Sequence, residues 1–393
     1  MVQEMVFGVI RNLILLDSWI DEKATRPPGK TRARTMLRLG LYQIAFMDRI
    51  PEHAAVHETV ATARDLRLHS QSGFINAILR GFLRDKEAIL KRLETWKTMA
   101  PSKAYSHPEW LIHKWKKQFG DSSTIALLDW NNQIPSTYAR WNPLCGSVET
   151  LESLWNKEGV ARKEVSFPWS QSMKIYKITS FPTQPDKLES FKSGLFYVQD
   201  PSTLLAVQML DAKPGESILD TCAAPGGKAC AMAAQMDNQG TIVAADPDPG
   251  RLRRMQENTD RLAVKNTTIT KSIKSISKDE AMKFDAILID APCSNSGVMR
   301  RRLDVRWRIT PAEIRNITEQ QRAIFQENTQ HLKQGGRLIY STCSLEPEEN
   351  GQIVEQFLKE NKDFKLEHEQ QLTPFEHGVD GAYAAKLVFK PTT

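Results

Sequence analysis

The chain has 393 residues, 40% hydrophobic and 25% charged, the proportions of a soluble globular protein with two or three domains. With 53 Lys+Arg against 47 Asp+Glu the net charge is +6, a weak tilt toward a polyanionic partner. Five scattered cysteines (Cys145, Cys222, Cys230, Cys293, Cys343) with no C-x-x-C pair exclude a disulfide framework and a zinc site, so no metal is expected and a reducing cytoplasm suits the chain. No stretch approaches the ~18 uncharged apolar residues of a membrane span. The start, Met1–Ile20, is interrupted by Glu4, Arg11 and Asp17 and lacks the pattern of a signal peptide.

Residues 1–95 read as all helix. Val2, Met5, Val6, Val9, Ile10, Leu13 and Leu16 share one helical face. Met36, Leu37, Leu41, Ile44 and Ala45 do the same after the loop Pro27-Pro28-Gly29, and further helices start at Pro51 and run through Gly73–Arg80. Residues 96–190 are mixed and predict a small α+β subdomain. A helix starts at His107-Pro108-Glu109-Trp110 and ends near Gly120, and Ser136–Asn142 alternates like a strand. From 191 to 393 strands alternate with helices. Apolar runs at Ser217–Asp220, Thr241–Asp246, Phe284–Asp290 and Arg337–Ser341 flank helical stretches at 228–236, 249–262 and 311–333. That alternation predicts an α/β domain with a mostly parallel sheet covered on both faces.

The run Cys222-Ala223-Ala224-Pro225-Gly226-Gly227-Lys228 follows the first of these strands and opens a helix. Its small residues let the backbone approach a ligand, and the helix start presents free N–H groups. The next strand ends at Asp246, placed to accept hydrogen bonds from both hydroxyls of a ribose. The loop matches neither G-x-G-x-x-G nor a phosphate loop. A nucleoside cofactor without a pyrophosphate fits it, and S-adenosylmethionine is the candidate; a tight strand-to-helix turn with no ligand is the plain alternative. Cys222 is expected to contribute backbone and packing only.

Two cysteines occupy matched positions. Cys293 lies in Asp290-Ala291-Pro292-Cys293-Ser294 and Cys343 in Ser341-Thr342-Cys343-Ser344, each directly after a buried-strand pattern. That is where α/β proteins place their chemistry. The alternative for each is a small buried hydrophobe, the usual state of a free cysteine.

These pieces resemble the RNA 5-methylcytosine methyltransferases of the NOL/NOP/Sun type. The matching motifs are Cys222–Lys228, Asp290–Ser294 and Ser341–Ser344, preceded by Tyr197-Val198-Gln199-Asp200-Pro201-Ser202. Leu37–Gln43, His53–Val56 and Gly73–Arg80 resemble the NusB-like helical domain, an RNA-binding module whose fusion marks the bacterial Sun branch. The resemblance implies a Rossmann-like S-adenosylmethionine-dependent methyltransferase domain behind a NusB-like domain. It also implies a monomer acting on an unpaired or flipped cytosine of 16S ribosomal RNA, cytosine-967 in that branch. The pattern departs in places. Lys271-Ser272-Ile273-Lys274 lacks the carboxylate that usually contacts the adenine, Asn295-Ser296-Gly297 stands for Gly-Thr-Gly, and Asp380-Gly381-Ala382-Tyr383 stands for Asp-Gly-Phe-Phe. The NusB-like segment reads as if an initial helix were absent.

Carbon-5 of cytosine is a poor nucleophile. A thiolate adding at carbon-6 makes carbon-5 nucleophilic, and a second group near the base assists release. The resemblance assigns Cys343 as nucleophile and Cys293 to release; the residues alone leave the order open, since DNA cytosine methyltransferases use a Pro-Cys thiol like Cys293. Asp290 is a candidate for the cytosine amino group, the ring or the cofactor, and otherwise a turn aspartate. Lys228 is a candidate to neutralise a carboxylate in the site or to reach RNA phosphate, against the alternative of surface solvation. Arg300, Arg301, Arg302, Arg306 and Arg308 around Trp307 are candidates to hold phosphates while the indole stacks on a base, against the alternative of a solvated face. Methylation of transfer RNA, or a non-catalytic RNA-binding assembly or antitermination factor, are the competing functions.

Overall fold

The computed structural model describes residues 1–26, 28, 31–273 and 282–390. Pro27 and Gly29 of the expected first loop and Lys274 of the expected adenine-contact segment lie outside the described residues. The chain divides into two compact units, Met1–Ile134 with Met299–Arg308, and Pro135–Val298 with Ile309–Thr393.

The first unit is helical. Leu37 and Leu41 on the helix Arg32–Phe46, and Ile75, Leu79 and Phe82 on the helix His69–Arg84, are spaced three or four apart and fully buried. They pack with Leu15, Leu16 and Trp19 of the helix Leu13–Lys23, and the Trp19 and Phe82 rings lie 5.1 Å apart. The expected single apolar face over the first sixteen residues is broken. Helix Val2–Arg11 ends at Asn12, and Val2 and Val6 are exposed while Val9 and Leu16 are buried. The helices Glu109–Phe119 and Asp121–Asn132 also belong to this unit.

The second unit holds two sheets. The smaller is antiparallel, built from β1 (Thr137–Trp141), β2 (Ala161–Val165), β3 (Ile175–Ser180) and β4 (Phe196–Val198) in the order β2-β3-β1-β4. One face packs around Trp155 and Phe196. Tyr138 and Ile175 join the core of the larger sheet.

The larger sheet contains β5 (Ser217–Asp220), β6 (Thr241–Ala245), β7 (Thr267–Thr270), β8 (Phe284–Asp290), β9 (Leu332–Thr342), β10 (Phe364–Leu372) and β11 (Ala382–Phe389). Their order is β10-β11-β9-β8-β5-β6-β7. The five strands from β9 to β7 run parallel, and β10 and β11 add an antiparallel edge. Covered on both faces, β8 carries the continuous apolar run Ala286–Ile289, all fully buried. The helix Pro311–Thr329 starts where Thr310 accepts from the Glu313 N–H with Pro311 in the first turn. It seats Phe325 parallel to Tyr340 of β9, with ring centroids 5.1 Å apart. The chain reverses order between β8 and β5, and loops leaving the carboxyl ends of these strands carry the motif residues.

Candidate active site

The cofactor loop follows β5. Thr221 N–H donates to Leu288 O of β8 and Ala223 N–H to Ala245 O of β6, so the loop is tied to both neighbouring strands. The Ala224–Pro225 bond is cis. Gly226, at φ +98°, caps the helix Gly227–Gln235, and a Cβ there would meet the Met255 side chain at 2.9 Å. A Cβ on Gly227 would meet the Tyr197 ring at 2.9 Å. Asn258 and Arg251 donate to the carbonyls of Pro225 and Ala224 and hold the loop from outside.

Two buried carboxylates end adjacent strands beside this loop. Asp220 ends β5, and its carboxyl is pushed up to about 7 by burial and by the charge of Asp290. Asp246 follows β6 and accepts from the Asp248 N–H through Oδ1, while Oδ2 lies 3.1 Å from Arg251 Nη1. The second Asp246 oxygen and both Asp220 oxygens have no hydrogen-bond donor in good geometry among the described residues. Glycines that allow close backbone approach, a helix start and buried acceptor oxygens at the strand ends fit a nucleoside cofactor. Burial pushes the Cys222 thiol up to about 12.

Asp290, the last residue of β8, stands between two donors. Lys228 Nζ lies 2.5 Å from its Oδ2, and Ser341 Oγ donates to Oδ1 at 2.8 Å. Burial opposes the Lys228 charge, yet Asp290 and Asp220 hold its ammonium above the ordinary lysine value. The lysine therefore faces a carboxylate of the site, one of the three alternatives left by the sequence.

Parallel pairing of β8 with β9 sets Asp290 opposite Ser341, so the loops after the two strands emerge side by side. Cys293 Sγ lies 3.2 Å from Cys343 Sγ, and Cys343 Sγ lies 3.2 Å from Asn295 Oδ1. An amide oxygen only accepts, so the Cys343 proton points at Asn295 and Cys293 donates to Cys343. That bond, then burial and the charge of Glu349, push the Cys293 thiol well up, so Cys293 keeps its proton.

Beneath the thiols lies a residue that sequence reasoning missed. Glu349 is fully buried and accepts from Ser294 N–H at 2.7 Å, from Ser294 Oγ at 2.5 Å and from Ser344 Oγ. Its own carbonyl accepts from Tyr340 OH at 2.7 Å. Ser296 Oγ lies 3.2 Å from Ser344 Oγ and accepts from Leu345 N–H. The loops also meet through backbone, Gly297 N–H donating to Cys343 O and Gly381 N–H to Gly297 O.

The arginine cluster requires a correction. Arg306 is fully buried in the first unit, where its guanidinium donates to Arg11 O, Asn131 O and Asn132 Oδ1, each at 2.9 Å. Burial and the Arg11 charge pull it down to about 9. It ties helix ends together and has no face for a phosphate. Arg300 is buried with its guanidinium 3.7 Å from the Trp130 ring centroid, and Trp307 is half-buried. Arg301, Arg302 and Arg308 are exposed.

Three family models match the chain. The NusB family covers residues 1–84, the ferredoxin-like domain of RsmF/B-type methyltransferases covers 107–171, and the 16S rRNA methyltransferase RsmB/F covers 207–388. Ribosomal RNA small subunit methyltransferase B of Pasteurella multocida (strain Pm70) is 35% identical over 407 residues, 98% of this chain and 87% of that protein. The chain belongs to the RsmB/F family of 16S rRNA methyltransferases. Among solved structures, that of PH0851 is 26% identical with a TM-score of 0.79, covering 98% of this chain and 89% of that one. A methyltransferase homolog protein from Pyrococcus horikoshii is 32% identical with a TM-score of 0.59, covering 68% and 91%. Membership makes the protein an RNA methyltransferase of the Sun type, with S-adenosylmethionine as its cofactor, and the loop and carboxylates above are suited to hold it. Among the described residues no helix is long and apolar enough to cross a membrane.

Proposed function

We propose that this protein methylates carbon-5 of a cytosine in 16S ribosomal RNA, at the position equivalent to cytosine-967, through a covalent bond from Cys343 to the base. The observation that carries this reading is the thiol pair, with Cys293 Sγ donating to Cys343 Sγ at 3.2 Å on the loops that follow the paired strands β8 and β9. The base reaches this pocket unpaired or flipped. Cys343 gives up its thiol proton to water, and the resulting thiolate forms a bond to carbon-6 while the ring electron pair shifts to carbon-5. S-adenosylmethionine, when bound, supplies an electrophilic methyl group. Asp290, fixed by Lys228 and Ser341, accepts from the cytosine amino group and orients the ring. Release requires loss of the carbon-5 proton to water and cleavage of the carbon-6 to sulfur bond, with the electron pair returning to sulfur. Cys293 S–H donates to that departing sulfur and stabilises it.

Residues 1–95 serve as the RNA-holding module and 191–393 as the catalytic domain of a monomer. Both thiols must stay reduced, which suits the cytoplasm. Arg301 and Arg302 are the members of the arginine cluster assigned to RNA. Bisulfite mapping of RNA from cells lacking the protein tests the substrate. One 16S position should lose its methyl group and regain it on complementation. Loss confined to transfer RNA would replace this substrate with the competing one, and no loss anywhere would contradict the activity.

A further inference from the structure

Asn295 occupies a place in the Cys293 loop where the family resemblance leads one to expect glycine. Its backbone sits at φ +63°, a left-handed conformation that asparagine and glycine tolerate. Its side chain touches both thiol loops at once. Oδ1 lies 3.2 Å from Cys343 Sγ, and Nδ2 donates to Cys293 O at 2.7 Å. The second contact fixes which end of the amide faces the sulfur, because a reversed amide would set oxygen against the Cys293 carbonyl. The hydrogen bonds then form a closed ring. Cys293 S–H donates to Cys343 Sγ, Cys343 S–H to Asn295 Oδ1, and Asn295 N–H to the backbone of Cys293.

We infer that Asn295 is a positioning residue for the nucleophile. It holds the Cys343 S–H toward its amide oxygen and leaves the sulfur lone pair facing Cys293, so that the two thiols take different roles before the base arrives. The inference rests on Cys343 as the attacking thiol. An acceptor aimed at a thiol proton fixes the side-chain torsion, and that hydrogen bond must break before the sulfur attacks. Arrival of the base displaces the amide, and the oriented sulfur then faces carbon-6.

The test uses full-length protein and reads Cys343 directly, by mass-spectrometric timing of its alkylation with iodoacetamide at neutral pH. Asn295→Gly keeps the left-handed backbone and deletes the acceptor, so alkylation of Cys343 should speed up about threefold. Asn295→Asp keeps the shape and adds a negative charge at the thiol, so alkylation should slow by a similar factor. Turnover should fall roughly tenfold in both variants, with KM for the RNA within about twofold of the parent. A merely structural role would move alkylation in one direction in both variants through increased exposure. Equal alkylation in all three proteins, or a shift of the same sign in both variants, overturns the inference. Opposite alkylation shifts combined with unchanged turnover support the amide–thiol contact and overturn Cys343 as the attacking group, so the two failures are distinguishable.

Discussion

Ser294, the residue directly after Cys293, gives Glu349 both its backbone N–H at 2.7 Å and its hydroxyl at 2.5 Å. Ser344, directly after Cys343, donates to the same carboxylate. One buried group thus fixes the distance between the two thiol-bearing loops. Glu349→Ala removes an acceptor shared by three donors and leaves them buried, at about 1–3 kcal/mol for each donor left unsatisfied. Urea denaturation should show that loss, whereas Glu349→Gln should keep most of the stability and lose turnover through misplaced loops. Equal turnover in Glu349→Gln and the parent would remove Glu349 from this role.

Gly297 allows the loops to touch. A Cβ there would meet Gly381 O at 2.7 Å and Cys343 O at 2.8 Å, both backbone atoms that cannot swing aside. Gly297→Ala should cost about 1–3 kcal/mol and most of the activity. Gly73, on the helix His69–Arg84, has open space at its Cβ position, so Gly73→Ala should be neutral or stabilising by up to about 1 kcal/mol. Thermal melting of the two variants compares them directly.

Arg306 and its neighbours Arg301 and Arg302 separate structure from binding. Arg306→Ala strips donors from three acceptors, two of them buried, and should lower the melting temperature of the first unit. Arg301→Ala and Arg302→Ala, both at exposed positions, should lower melting less than Arg306→Ala. Each should weaken RNA binding and reduce the slope of log affinity against log salt by about 1. An unchanged salt slope in both variants would remove these arginines from the interface.

Asp220 makes stability depend on pH. Its folded-state value, about 7, lies above the ordinary 3.8, so the folded protein binds a proton between those limits that the unfolded chain does not. Its contribution to stability is therefore greatest in acid and is lost as pH rises through about 7. Cofactor-free protein should melt at a lower temperature at pH 8 than at pH 6 through this group, and Asp220→Asn should flatten that part of the profile. An identical pH profile in Asp220→Asn would contradict the assignment.

The apolar runs Ala286–Ile289 and Leu338–Tyr340 announced β8 and β9 because both faces of these strands are covered, and the cofactor loop was legible in its small residues. Other features depend on distant partners. Glu349 lies in Pro347-Glu348-Glu349-Asn350, which reads as a solvated acidic turn until Ser294 is brought under it by β8–β9 pairing. Arg306 reads as part of a surface charge run, yet its acceptors come from residues 11, 131 and 132. Polarity along a chain reports charge and not its partners, so a buried ion with non-local acceptors looks like a surface one. The asymmetry of the two thiols was likewise hidden, because it is set by the direction of one S–H bond toward Asn295.

The central claim is that Cys343 makes the bond to the base and Cys293 helps break it. Incubation of cysteine variants with S-adenosylmethionine and 16S RNA, followed by a denaturing gel, reads it directly. Cys293→Ala should leave a protein–RNA adduct that survives denaturation, and Cys343→Ala should give neither adduct nor methylated RNA. An adduct that accumulates in Cys343→Ala and not in Cys293→Ala, or full turnover in both, would contradict the account.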